Sequence, residues 1–127
     1  CVYGVFDPVG YGADGKYGNE WDMTIWISDR GVESGRLKDI LIHEAAHAYS
    51  YLVLRGCVVP DGSSFRELAH KRYGDEEHLA DAFVLYYGGK WTNYDGRENI
   101  PIRDRSWMSN MIDYCNLYEE ALATLKS

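Results

Sequence analysis

Residues 37–52 read Leu-Lys-Asp-Ile-Leu-Ile-His-Glu-Ala-Ala-His-Ala-Tyr-Ser-Tyr-Leu, and the architecture of the chain turns on this stretch. It holds no Gly or Pro, carries the helix-favouring Ala45, Ala46 and Ala48, and repeats its apolar residues at helical intervals. The pattern predicts a helix with Ser34 as N-cap and Gly56 as its terminating residue. Leu37, Leu41, Ala48 and Leu52 fall on one side and Ile40 and Leu54 on another. A helix apolar on most faces is expected at the centre of a fold. Within it, His43 and His47 stand at i and i+4, on one face and one turn apart, a separation that two ligands of a single tetrahedral zinc can use. Buried polar side chains need partners, because leaving them unpaired is costly. Glu44, beside the first His, is placed to reach a water at the metal rather than the metal itself. Zinc lowers the pKa of such a water to about 7, and a carboxylate within hydrogen-bond reach completes its deprotonation.

Zinc catalysis requires a third protein ligand and an open fourth position. Downstream, Glu77 and Asp81 also stand at i and i+4, with Ala80 between them to allow close approach of the two helices. One carboxylate can bind the metal while the other accepts the free ring N–H of a ligating His, which fixes the tautomer. Glu77 is read as the ligand and Asp81 as the orienting group, with the reverse assignment as the competitor. Asp75 and Glu76 suit the N-terminus of a helix, where negative charge is favoured. Asp81 does not fit that explanation, since it lies within the apolar run Leu79, Ala80, Ala82, Phe83, Val84 and Leu85. His70, followed by Lys71 and Arg72, reads as an exposed helix residue, and His78 points about 100 degrees away from Glu77. Neither is expected to bind metal.

Around this nucleus the expected fold class is α+β, as one domain over residues 1–127. A small N-terminal antiparallel sheet packs on the central helix and further helices follow. Met23 to Ser28 alternates Met23, Ile25 and Ile27 against Thr24, Trp26 and Ser28, the period of a strand. The glycines at 10, 12, 15 and 18, with Asp7, Asp14 and Asp22 nearby, read as a flexible loop, because the acidic spacing does not match an EF-hand. Ser64 and Glu67 form a capping box that starts a helix over 65–73, ended by Gly74. Asp75 caps another over 76–87, closed by Gly88 and Gly89. Residues 90–104 read as a loop, and 105–125 as a last helix with Trp107, Met111, Tyr114, Tyr118 and Leu122 as its core stripe.

Composition narrows the functional classes. With 46% hydrophobic residues the chain can bury a core, which argues against disorder. A net charge of −7 and scattered basic residues argue against a nucleic-acid partner. No apolar run approaches the roughly 20 residues of a membrane span. Cys1, Cys57 and Cys115 permit three single-disulfide pairings, each leaving one thiol, and none has the spacing of a cysteine zinc site. The chain opens on Cys1 without an initiator Met, which reads as a processed or excised domain. A lipoprotein start is less favoured because Val2 to Phe6 reads as a strand, and a strand start or disulfide suits Cys1 better than an inhibitory thiolate on the zinc. The acidic, Tyr- and Trp-rich make-up leans towards a secreted or extracytoplasmic protein.

His43-Glu44-x-x-His47 followed by Glu77-x-x-Ala80-Asp81 resembles the gluzincin clan of zinc metallopeptidases, which includes thermolysin and several minimal peptidases. The Glu-x-x-Ala-Asp form is also similar to that of small peptidases that cleave phage-type repressors. The resemblance covers roughly residues 23–88. It implies a minimal zincin-like fold, Glu77 as third ligand and Asp81 bonded to His43. It also implies Glu44 as the base and the strand at 24–28 as the rim along which an extended substrate pairs. The chain departs from metzincins, having no Gly-x-x-His after His47. It departs from thermolysin in its small size and in lacking a recognisable C-terminal helical domain with a catalytic His. The oxyanion stabiliser therefore stays open among Tyr73, His70, Tyr86 and Tyr87. The implied function is a Zn2+-dependent endopeptidase acting on a peptide or protein. A non-catalytic, zinc-stabilised binding module and a hydrolase of a non-peptide amide are the alternatives, the former disfavoured by the intact Glu44.

Overall fold

The computed structural model describes residues 3–7, 24–92 and 100–126. Ser28 opens the first helix, α1 (Asp29–Glu33), by accepting the Gly31 N–H at 3.0 Å while its hydroxyl donates to the Tyr3 carbonyl at 3.1 Å. Ser34 closes the same helix, its hydroxyl donating to the Gly31 carbonyl at 2.7 Å. Gly35 then turns the chain at a φ of +78°, a conformation that glycine adopts without a Cβ penalty. Helix α2 (Leu37–Leu52) starts only after Arg36, with no side-chain cap. Ser34 is thus the C-cap of one helix and not the N-cap of the next. The far end also differs from expectation. α2 stops at Leu52, and a 3₁₀ turn at Leu54–Gly56 takes over, with Leu54 fully buried in the core.

The expectation that α2 is covered on most faces is corrected as well. Leu37, Leu41 and Leu52 are 37%, 42% and 53% exposed, whereas Ile40, His43, Glu44, Ala46 and Ser50 are buried. The two strands and α4 cover the face that carries the polar residues, and the leucine side lies outside.

Strands β1 (Gly4–Asp7) and β2 (Thr24–Ile27) form one antiparallel ladder, with Gly4 opposite Ile27 and Phe6 opposite Ile25. A Cβ on Gly4 would lie 3.0–3.1 Å from Ile27, Ile40 and the Glu44 side chain, so the missing side chain lets β1 sit directly on α2. Ile25 and Ile27 are half-buried and Trp26 is exposed. Met23, the glycine-rich loop with Asp14 and Asp22, and Cys1 lie outside the described residues.

Ser64 accepts the Glu67 N–H at 3.1 Å to start α3 (Phe65–Tyr73), and Gly74 ends it at a φ of +118°. Asp75 accepts the His78 N–H at 2.8 Å to start α4 (Glu76–Tyr86). The last helix, α5 (Ile102–Lys126), begins three residues before the expected start. The Pro101 carbonyl accepts the Asp104 and Arg105 N–H groups in its first turn. Its core stripe is Met108, Met111 and Cys115, flanked by half-buried Trp107 and Tyr118; Tyr114 sits on the rim, donating to the Val58 carbonyl.

The core joins Leu79, Ala80, Ala82, Phe83 and Leu85 of α4 to Met108 and Met111 of α5, with Ala46 and Ala69 supplying close approaches. Cys57 and Cys115, both buried, form a disulfide across 58 residues of sequence. Among the described residues the molecule is mostly helical, with five α-helices and one two-stranded ladder, an α+β arrangement in the broad sense. No helix among them is long and apolar enough to cross a membrane.

Candidate metal centre

Helices α2 and α4 lie side by side and antiparallel, so that His43 faces Asp81 while His47 faces Glu76 and Glu77. Asp81, with no exposed surface, has Oδ1 2.9 Å from His43 Nδ1. Glu76 Oε2 lies 2.7 Å from His47 Nδ1. With a carboxylate against each Nδ1, a neutral ring carries its proton there and turns its Nε2 lone pair towards the centre. The two Nε2 atoms are 3.2 Å apart. Glu77 closes the triangle with Oε2 3.2 Å from His43 Nε2 and Oε1 3.0 Å from His47 Nε2.

This pole consists of acceptors facing acceptors. Two lone pairs and a carboxylate at such separations repel unless a proton or a metal cation sits among them. A tetrahedral zinc with Zn–N near 2.05 Å has ligand-to-ligand edges of about 3.3 Å, close to the three separations found here. The donor set of two imidazole nitrogens and a carboxylate, each imidazole backed by a second carboxylate, is also what zinc prefers. The residues therefore fit the metal. The protonation balance follows the same logic. Burial pulls the His43 pKa down, but the hydrogen bond and charge of Asp81, together with Glu44 and Glu77, leave it raised above the ordinary value.

Glu44 is buried under β1, with Oε1 3.9 Å from His43 Nε2. Burial pushes its carboxyl upward. His43 and His47 pull it down, Glu77 raises it and a backbone hydrogen bond from Phe6 lowers it, and the net shift is upward. Ligand atoms of His43, Glu44 and His47 all lie within 4.8 Å of one another, so this cluster can hold a metal ion. Of the two carboxylates beside the imidazoles, Glu77 is nearer and spans both Nε2 atoms, while Glu44 stands back from the pair. Glu77 is also partly open to solvent, with 40% of its side chain exposed. The strand in contact with Glu44 is β1, at Gly4 and Phe6. The strand at 24–28, which the resemblance assigns to substrate, is its ladder partner.

Glu76 was not legible as a site residue. An acid at the start of a helix has a sufficient local explanation in the helix dipole, yet this one reaches across to α2. Its Oε1 accepts from Ser50 at 2.7 Å and lies 2.6 Å from His70 Nε2, with Arg66 Nε at 3.4 Å. Burial works against its ionisation, but the hydrogen bonds from His47, Ser50 and His70 prevail and bring the carboxyl down to about 2. His70 is correspondingly half-buried in this network and not the exposed residue that Lys71 and Arg72 suggested. The adjacency of Glu76 to Glu77 was the available signal. Consecutive helix residues diverge by about 100 degrees, so two neighbouring acids can approach two different nitrogens of one imidazole. Glu76→Ala is expected to weaken zinc affinity about 10–100-fold, with Glu76→Gln recovering most of it by keeping an acceptor on His47. Competition against a chromogenic chelator measures this, and equal affinity of wild type and Glu76→Ala would show that His47 does not depend on Glu76.

The candidate oxyanion residues are engaged with other partners. The Tyr73 hydroxyl donates to the Asp104 carbonyl at 3.4 Å, and that of Tyr86 meets Ser109 Oγ at 2.6 Å. Tyr87 is exposed and its ring stacks on Phe83, and His70 is held by Glu76. His78 pairs with Asp75 at 2.7 Å. Trp91, unremarked in the sequence, stands 6.4 Å from the His43 ring, centroid to centroid, with its edge to Tyr3 at 5.6 Å. Asp39, one turn before His43, positions it by accepting the Lys90 and Trp91 N–H groups at 3.0 and 2.9 Å. Only glycine fits at 89, where a Cβ would lie 2.6 Å from both Asp39 and Val84.

Comparison with family models, curated proteins and solved structures finds no match to this chain.

Proposed function

We propose that the chain is a zinc-dependent metallopeptidase of the gluzincin type, an endopeptidase on a minimal zincin-like fold. His43, His47 and Glu77 hold Zn2+, Asp81 orients His43, and Glu44 is the general base. The convergence of His43 Nε2, His47 Nε2 and the Glu77 carboxylate within 3.0–3.2 Å of one another carries this reading, because the three donors need a proton or a cation among them and their separations match the edges of a zinc tetrahedron.

When bound, zinc supplies Lewis-acid polarisation of the substrate carbonyl and of water. The chain's own residues do the rest. Asp81 and Glu76 keep the protons on the outer ring nitrogens, so both imidazoles present lone pairs inward. Glu44 takes a proton from water at the centre and passes it to the leaving amine. Burial under β1 raises its basicity, which suits a base working near neutral pH. Phe6 and Gly4 fix its side chain from above, and the partly exposed side of Glu77 leaves an approach for a peptide. The disulfide favours an oxidising, extracytoplasmic compartment.

The test is metal content and cleavage together. Purified protein should carry about one zinc per chain, and a broad peptide library should be cut by the loaded protein, left intact after chelation and cut again after zinc is restored. Zinc without cleavage would favour the non-catalytic binding module, and absence of zinc would remove the proposal altogether.

A further inference from the structure

Beside the centre, a cleft of about 550 Å³ opens between the start of α2 and the chain leaving α4. Arg36, Lys38 and Lys90 line it, together with Asp39, Gly89 and Trp91. We infer that this cleft is the subsite for a carboxylate of the substrate, either an acidic side chain or the peptide's own C-terminus. The inference rests on the peptidase reading and specifies its substrate class.

Charge is the first ground. The chain carries 20 acidic and 13 basic residues, so three cations around one hollow run against its general character. Among the described arginines and lysines only Arg66, with Glu76, and Arg72, with Asp104, form ion pairs, so it is the gathering of three cations at one hollow that sets the cleft apart. Arg36, Lys38 and Lys90 meet no carboxylate among the described residues; Arg36 only lies over the Trp91 ring at 5.9 Å. The single acid in the cleft, Asp39, has Oδ2 engaged by two backbone N–H groups, so its role there is to hold residues 90 and 91. An entering carboxylate meets a guanidinium fork and two ammonium groups. A neutral side chain leaves all three cations to water.

Position is the second ground. Asp39 precedes His43 by one helical turn, about 6 Å along the axis, and Trp91 borders both the cleft and the His43 ring. An extended peptide covers that distance in about two residues. A carboxylate within about two residues of the bond to be cut can therefore reach the cleft while its carbonyl lies at the metal centre.

The probes are acetylated, amidated hexapeptides in which Glu is walked through the six positions, each matched by its Gln counterpart, plus one series with a free C-terminal carboxylate. Binding is measured by calorimetry to zinc-loaded Glu44→Gln protein, and cleavage with the wild type. At one or two positions Glu should bind about tenfold more tightly than Gln, the advantage shrinking at high salt because the three cations are exposed. Arg36→Gln/Lys38→Gln/Lys90→Gln should abolish the preference at unchanged zinc content and melting temperature. Preference confined to the free-acid series identifies the terminal carboxylate, and preference for internal Glu identifies the side chain. Equal binding of Glu and Gln peptides throughout, or a preference that survives in the triple variant, overturns the inference, as does failure of every peptide to bind. Selective binding without cleavage by the wild type would instead reject the peptidase reading and leave the carboxylate subsite standing.

Discussion

Glu44→Gln is expected to slow peptide hydrolysis about 10²–10⁴-fold, the usual loss when general-base assistance is removed. Zinc content and melting temperature should stay near those of the wild type. Glutamine has the same shape as glutamate, so the close contact with Gly4 is preserved, and its amide oxygen can still accept the Phe6 N–H. What it cannot do is take a proton from water. The substitution also removes a buried charge whose ionisation is opposed by its surroundings, which is a reason to expect no loss of stability. The measurement is the initial rate on one cleaved peptide for both proteins at matched zinc loading. Equal rates would mean that the base lies elsewhere in the cleft.

Removing Glu77 should have the largest effect on the metal. Glu77→Ala leaves two imidazoles and no third protein ligand, and zinc is expected to be lost on dialysis. Because its side chain is partly exposed, its loss opens no cavity in the core. Asp81→Ala acts differently. It leaves the ligands in place but strips the acceptor from a buried His43 ring, so affinity should fall by about 10–100-fold. The fold also loses about 1–3 kcal/mol for the unpaired polar group. Elemental analysis and thermal melts with and without chelator separate the two. On the proposed ligand set zinc would bind only the folded chain and tie α2 to α4, so chelation should lower the melting temperature of the wild type and leave that of Glu77→Ala unchanged. Zinc retained by Glu77→Ala and lost by Asp81→Ala would reverse the two roles.

Those two experiments rest on residues that are legible in the sequence alone. Spacing of i and i+4 is a property of the helix alone, so His43 with His47 and Glu77 with Asp81 could be paired from sequence, as could the starts at Ser64 and Asp75. Ser34 departs from the expected N-cap because a serine between two helices can close one or open the other. The choice depended on Gly31 and on the positive φ of Gly35. The exposed leucines of α2 mark a second limit. Periodicity reveals which faces are apolar, but not how many neighbours the fold supplies to cover them. Glu76, Trp91 and the pairing of Cys57 with Cys115 are matters of tertiary contact. Glu76 needed the crossing of α4 over α2, and Trp91 needed the reach of Asp39 across 52 positions.

The bond between Cys57 and Cys115 also decides what becomes of a severed chain. A single backbone cut between α4 and α5 divides the polypeptide into one piece with α2, α3 and α4 and another with α5. Every residue assigned to the zinc remains on the first piece, and the second stays attached through Cys115, with Met108 and Met111 still seated in the core. Such a broken molecule would migrate as one species until a reductant is added. The bridge thus converts an otherwise destructive nick into a concealed one.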